Sequence, residues 1–461
     1  MLRGHEKNVK NGARKGRIRL SFVLVACAFT AALEAQEPSP DPPRLFQDEL
    51  DLQASLNVVQ GSGARALGMG GAFLARADDA TAASWNPAGL SYLRLPEVSF
   101  VWLHNNLNTQ ARDAENHLVT RDERTGSAPD FVALALPYSL GRASGSGQIS
   151  YQRVISFTSH RTITDRLRDP GQVEVERTRT VDSSGGFDVI ALGTGLKLSR
   201  TLRAGFTVNH WFNGYRQVVV SDQRDIPTRQ NANFDLSGWN YHVGLMWSPW
   251  ESLNLGAVVK TGFMADVSLA RSRVDKFPDG GTTNNGLFRD DLRLKLPGAM
   301  GLGASWRPKS NLTVSLDFTH TNWSDGLIFN FFTLKKAEQN QPPPAPRGRT
   351  FFQLPYPTLN DPEQNDTKQV RVGIEYVILR SRLKWPVRAG YFTDEQFFRA
   401  EGGSAPTFEG FTLGAGVIVS RLLFDVAYVY ETGNYVSLLG DVHNSVKSHR
   451  IYASLIYRHP R

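Results

Sequence analysis

The chain has 461 residues, a formal net charge of +8 and a mean hydropathy of −0.32, a length that admits two or three globular domains or one large barrel. Seven basic residues (Arg3, Lys7, Lys10, Arg14, Lys15, Arg17, Arg19) against Glu6 and Glu34 place +5 of that charge in the first 35 residues, leaving 8 − 5 = +3 for the rest. No basic patch interleaved with stacking aromatics follows, which argues against a nucleic-acid partner, and no run of 18 apolar residues follows either, which excludes helical membrane spans but not strands.

Residues 1–35 read as a secretory signal peptide: a positive stretch, an apolar run from Leu20 to Leu33 and small residues near Ala35. The single cysteine, Cys27, lies inside it, so a chain cut after Ala35 would hold no thiol, disulfide or cysteine metal site. Leu24-Val25-Ala26-Cys27 also fits a lipoprotein processing box, and lipidation of Cys27 stays open. Residues 36–57 are Pro-rich and acidic and read as an extended periplasmic lead-in.

Residues 58–94 have the composition of a plug. Gly61, Gly63, Gly68, Gly70 and Gly71 remove side chains where backbone must lie close to something else. Asp78 or Asp79 is placed to cap a short helix over Ala80 to Trp85, which must end before Pro87 because the residue preceding proline is pushed out of the helical region. Gly61-x-Gly63 begins like a nucleotide loop, but no Gly-Lys-Ser/Thr follows.

From residue 95 to 458 the pattern is a transmembrane antiparallel β-barrel of about fourteen strands, an all-β fold with the plug in its lumen. Tight turns at Ser199-Arg200-Thr201, Ser248 to Glu251, Arg307-Pro308-Lys309, Arg380-Ser381-Arg382 and Ser420-Arg421 alternate with long polar segments near 106–128, 159–186, 220–232, 270–288, 323–366, 395–407 and 432–446. Short turns on one side and long loops on the other describe an outer-membrane barrel with both termini on the short, periplasmic side. The strands have period two: Val370, Val372, Ile374 and Tyr376 alternate with Arg371, Gly373 and Glu375, and Leu422, Phe424, Val426 and Tyr428 with Asp425 and Ala427. Lipid, not a partner sheet, should cover the apolar face, since no dry core accepts such charges unpaired on the other. Trp247, Trp250, Trp306 and Trp385 are expected in a periplasmic aromatic girdle, and Trp323, Tyr391 and Tyr430 in the outer one.

Asn86-Pro87-Ala88, Leu294-Lys295-Leu296-Pro297 leading through Asp317 to Trp323-Ser324, Arg371-x-Gly373-x-x-Tyr376, Trp385-x-x-Arg388-x-Gly390 and Phe411 to Gly416 follow one another in an order that resembles the FadL/TodX outer-membrane transporters of long-chain fatty acids and hydrocarbons. The resemblance covers roughly residues 58–457. It implies a monomeric bacterial outer-membrane protein for passive, plug-gated uptake of hydrophobic small molecules, with no cofactor and no enzymatic activity; it also implies a side opening at a distorted third strand, where nothing within 146–158 announces a kink. The plug and gate residues are then Gly68, Gly70, Gly71, Asp78, Asp79, Asn86, Pro87 and Ala88, with Asn86 hydrogen-bonding free strand backbone. Arg371 and Arg388 could hold a fatty-acid carboxylate through two hydrogen bonds, or pair structurally with Glu375, Asp317 or Asp425. Phe329, Phe331, Phe332, Phe351, Phe352 and Leu354, around a proline run, could form an exposed apolar capture site or pack over the barrel mouth. Ligand identity, lateral or luminal exit, and a second role as a docking or shuttle component of protein secretion stay open. Metal-spaced clusters, H-E-x-x-H and G-x-S-x-G are absent, and His104, His210, His242 and His320 read as interfacial or lumen residues.

Overall fold

A strand with one apolar and one polar face must bury or wet each consistently, and a ribbon of such strands in lipid can satisfy its edge hydrogen bonds only by closing on itself. The computed structural model describes residues 44–45, 61–113, 115–141, 143–167, 175–221, 228–276, 281–325, 331–332, 365–380, 383–398, 400, 403–436 and 442–460. The leader and most of the lead-in lie outside them. The barrel comprises 18 hydrogen-bonded segments, four spans each being made of two, so 18 − 4 = 14 spans close the ring.

These are β1 (Glu97–Arg112), β2 (Leu118–Leu140), β3 (Ala143–Ser156 and Ser159–Leu167), β4 (Val175–Lys197), β5 (Leu202–Phe212 and Gly214–Ser221), β6 (Thr228–Trp250) and β7 (Leu253–Lys260 and Phe263–Lys276). They continue as β8 (Thr282–Leu296 and Ala299–Lys309), β9 (Leu312–Thr321), β10 (Thr367–Arg380), β11 (Leu383–Glu395), β12 (Thr407–Val419), β13 (Leu422–Val436) and β14 (His443–Arg458). Every neighbour pair is antiparallel, and β14 closes on β1 in unbroken register from Glu97↔Arg458 to Arg112↔His443. A two-residue ladder also pairs Arg44–Leu45 with Phe331–Phe332.

Outward positions carry the apolar residues. Val370, Val372, Ile374 and Tyr376 are exposed while Arg371 and Glu375 are buried, and Phe424 and Tyr428 are exposed while Asp425 and Ala427 are buried. Trp247, Trp250, Trp306 and Trp385 stand exposed beside the short turns, as a periplasmic girdle requires. Tyr391 and Tyr430 share the outer face with Phe411, Tyr391 donating to Glu409 at 3.0 Å. Trp323 is a correction: it is 3% exposed and stacks inside the lumen on Phe397 at 4.8 Å, because the short 3₁₀ turn Trp323–Asp325 folds the chain inward after β9.

Most of the long polar segments prove to be strand. β1 and β2 pair out to Arg112↔Leu118, and β13 and β14 to Val436↔His443. Outside the bilayer an outward side chain meets water instead of lipid, so the apolar signal vanishes while backbone pairing continues.

The outward apolar band makes a direct prediction. Leu413, 64% exposed on β12, changed to arginine should lower barrel stability in lipid by about 2–4 kcal/mol. Urea titration of folded barrel in vesicles measures this, and an unchanged midpoint would contradict a lipid-facing wall.

Candidate functional site

The plug begins with the one-turn helix α1 (Ala64–Leu67), passes through Gly68 to Gly71, and reaches a second turn, α2 (Ala82–Trp85). Asp79, not Asp78, prepares α2: its Oδ1 accepts from the Thr81 amide at 2.9 Å and from the Thr81 hydroxyl at 2.6 Å. The helix stops at Asn86, and Pro87–Tyr92 winds on as a 3₁₀ helix whose Ala88 amide donates to Asn86 Oδ1 at 3.1 Å. The Asn86 amide nitrogen donates to three carbonyls, Leu74 at 2.9 Å within the plug, Leu245 at 3.1 Å on β6 and Ala257 at 3.4 Å on β7. One side chain thus ties two plug segments to two wall strands.

This approach needs wall strands without side chains. Gly195, Gly205 and Gly244 are register partners across β4, β5 and β6, as are Gly256 and Gly303 on β7 and β8 and Gly373 and Gly390 on β10 and β11. A Cβ at Gly205 would lie 2.1 Å from the Pro87 carbonyl carbon, one at Gly244 2.0 Å from Asn86 Oδ1, and one at Gly390 2.2 Å from the Gly70 amide nitrogen. The plug answers in kind, with Gly70 and Gly71 at φ 68° and 74° turning the chain where another residue would be strained.

Polar groups complete the seat. Thr412 on β12 donates to the Gly68 carbonyl at 3.0 Å and accepts from the Gly70 amide at 2.9 Å. Asp317 on β9 accepts from the Phe73 and Leu74 amides at 2.6 and 2.8 Å. Arg371 donates to the Gly70 carbonyl at 3.1 Å, and Lys260 to the Ser84 carbonyl at 2.9 Å. Beneath them runs an ion network: Arg65 meets Asp78 at 2.7 Å, Asp79 at 3.2 Å and Glu375 at 3.3 Å; Arg76 meets Asp78 and, at 3.3 Å, Glu375; Arg388 meets Glu375 at 2.8 Å and Asp425 at 2.7 Å. Both arginines expected to hold a ligand carboxylate are therefore buried and engaged, Arg371 by the plug and Arg388 by two wall carboxylates. Arg65, Arg76, Thr412 and Lys260 escaped the sequence reading, although two arginines in a segment otherwise made of small residues were a signal.

Burial works to raise the Asp78 carboxyl, but Arg65 and Arg76 outweigh it and hold the group below the usual carboxylate range. A depressed folded value stabilises above the unfolded one, about 3.9, and is lost as pH falls through it. The plug attachment should accordingly hold from neutral pH down to about 4 and weaken below.

Above the plug, towards the long connections, the lumen is lined with aromatics. Phe157 packs on Phe187 at 5.1 Å, Phe187 on Phe234 at 5.6 Å and Phe398 on Tyr435 at 5.0 Å within one buried apolar cluster, and its Trp211 meets the half-buried Phe263 at 5.2 Å. Between cluster and plug lies a cavity of about 20 Å³, lined among others by Ala83, Ser84, Val189, Trp211, His242 and Lys260, room for about one water. The wall is interrupted at this level. The β2–β3 ladder runs to Phe131↔Gln152 and resumes only at Thr125↔His160, and β3 slips against β4 between Arg153 and Ile155. The third strand is thus distorted after all. The signal sat on its neighbour, where Pro129 cannot donate to a ladder. Of the apolar capture loop, Phe329, Phe351, Phe352 and Leu354 lie outside the described residues, as do the side chains of Phe331 and Phe332. His104 bonds Ser127 at 2.7 Å on the outer face and the His210 ring packs, tilted, against Trp239 at 4.4 Å, while His242 points into the lumen.

The family model described as BamG matches residues 59–340, spanning the plug and more than half of the chain. The chain belongs to the BamG family. Among solved structures this member resembles a Pseudomonas aeruginosa FadL homologue (13% identity, TM-score 0.56, 90% of this chain and 99% of that one). It also resembles the P. putida toluene transporter TodX (13%, 0.55, 87% and 100%) and the Ralstonia pickettii toluene transporter TbuX (13%, 0.51, 87% and 99%). Likeness at that identity establishes the fold, and the expected FadL/TodX barrel is what the BamG-family chain adopts. This architecture points to the bacterial outer membrane. No curated protein sequence matches the chain.

Two substitutions, set against one control, test the seat. Gly244→Ala should displace Asn86 and expose the plug, whereas Gly147→Ala, whose Cβ would meet nothing closer than 3.9 Å, should not. Glu375→Ala should cost about 3–5 kcal/mol of plug retention by leaving buried arginines underpaired. Both are read by thiol labelling of a cysteine placed at Ala77, and equal protection in all variants would contradict this attachment.

Proposed function

We propose that this barrel takes up hydrophobic small molecules passively, with the plug as its gate. The observation that carries the reading is the aromatic layer filling the upper lumen directly above a plug held by polar contacts. A pore for hydrophilic solutes keeps a polar, watered lumen; an apolar solute instead gains roughly 25 cal/mol per Å² of apolar surface it buries and needs no other energy source to move down its gradient. The solved relatives named as toluene transporters support the same solute class.

With a water-sized cavity between layer and plug, passage requires the plug or the adjoining wall to shift. Going straight down, an apolar solute would meet the buried network of Arg65, Asp78, Glu375 and Arg388. Going sideways, it would meet residues 126–130 of β2 and 153–159 of β3, where the two strands make no ladder pairing with each other and a close backbone approach of Gly126 to the Thr158 carbonyl spans the seam. Lateral exit is therefore part of the proposal, and Asn86-Pro87-Ala88, anchored on β6 and β7, holds the plug beneath the layer.

The test uses toluene and oleate as probes with barrel reconstituted in vesicles. The wild type should accelerate probe entry over empty vesicles, and replacing Asn86 and Pro87 by alanine should change that rate several-fold while heat-resistant folding persists. Equal rates with and without barrel would overturn uptake. Unaltered rates in the double variant would overturn the gate alone, and a barrel that binds neither probe but co-purifies with secreted proteins would favour the docking role.

A further inference from the structure

The short-turn rim carries a charge distribution that neither plug nor lumen uses. Lys197 and Arg200 flank the β4–β5 turn, Arg307 and Lys309 end β8 just ahead of the β8–β9 turn, and Arg380 and Lys384 bracket the β10–β11 turn, all exposed. Arg421 at the β12–β13 turn and Arg94 before β1 are exposed as well, while Glu251, at the β6–β7 turn, is the only exposed carboxylate among the described residues of the short turns. That is 8 − 1 = +7 on one rim, against +3 for the whole of residues 36–461, so the rest of that stretch sums to −4. Arg458, tied to Glu97 at 2.7 Å, is not counted.

The cations stand beside outward apolar residues. Trp306 (53% exposed) precedes Arg307, Ile378 (41%) lies two residues before Arg380, Trp385 (43%) follows Lys384, Leu422 (45%) follows Arg421 and Leu202 (37%) lies two residues after Arg200. Each pair offers an acyl-facing surface with a cation one or two residues nearer the water, the order in which a phospholipid presents tail and headgroup. A long basic side chain placed so can lie along apolar surface and keep its charge at the headgroup level. The pairs recur on four of the turns, β4–β5, β8–β9, β10–β11 and β12–β13, and so extend beyond the one contiguous face a soluble acidic partner would need.

We propose that this rim is a binding surface for anionic phospholipid headgroups of the periplasmic leaflet, recruiting a charged lipid collar. The collar is independent of what the barrel carries. Each cation near an anionic surface strengthens attraction about fivefold, so five of them acting on the annulus should give clear enrichment even after screening.

Barrel reconstituted in nanodiscs of phosphatidylethanolamine with a minor fraction of phosphatidylglycerol is released into mild detergent, and the retained lipid is read by native mass spectrometry. The wild type should retain phosphatidylglycerol at least about fivefold above its bulk fraction. The combined variant Arg307→Gln, Lys309→Gln, Arg380→Gln, Lys384→Gln and Arg421→Gln should return it to bulk. Bulk composition in the wild type, or enrichment undiminished in a folded variant, overturns the proposal. So does retention of an acidic protein without lipid enrichment. Should the variant fail to fold, the wild type decides: enrichment must fall when about 1 M salt shortens the screening length to roughly 3 Å during reconstitution, and salt-insensitive enrichment overturns the proposal too.

Discussion

The constraint on which the rest of this molecule depends is backbone against backbone, plug against wall. Where the Gly70 amide faces Gly390 and the Pro87 carbonyl faces Gly205, the separation admits hydrogen atoms and nothing larger. Close packing of this kind is unforgiving, because interiors respond to a single added methyl group by shifting neighbours or storing strain. The wall glycines are therefore part of the plug's fold as much as of the barrel's, and the same contact fixes where Asn86, Thr412 and Asp317 can reach plug backbone.

The ion network looks at first like an expensive way to hold a plug. Burying Arg388, Glu375 and Asp425 carries a desolvation cost that well-packed apolar residues would avoid. Its physical merit appears when the plug is required to move. An apolar seat vacated by its plug would face water as a greasy patch, whereas vacated charges simply hydrate. Polar anchoring beneath an apolar layer is thus the arrangement under which a plug can leave and return without making the lumen wall sticky, which is the requirement the proposed uptake places on it.

Much of this was legible in the sequence. Each of the fourteen spans has a counterpart in the alternation of apolar and polar residues, since lipid on one side and lumen on the other imposes period two on every crossing. The plug was legible for a different reason: no other use explains five glycines within eleven residues ahead of Asn86-Pro87. What could not be read was pairing at a distance. Arg371 and Arg388 announce buried charge, but whether a guanidinium meets a ligand or a carboxylate depends on register between β10, β11 and β13, which local pattern does not encode. Trp323 was misplaced because an aromatic near a loop end can turn inward as easily as outward, and the strands beyond the bilayer were missed because water on both faces erases their period.

The lumen divides into two solvents, an aromatic half above and an ionic half below, with the break between β2 and β3 at their boundary. Phe131, just below the break, belongs with the plug core, while Ile155 and Phe157, on the distorted third strand, belong with the aromatic layer. Asp130, the residue β2 bulges out of register with β1, accepts from the Ser62 hydroxyl of the plug. Plug position and wall continuity therefore share a residue. A displacement of the plug's first segment would release Asp130 at the very place where the barrel already lacks ladder hydrogen bonds, so that under the proposed mechanism opening the plug and loosening the side wall are one motion instead of two.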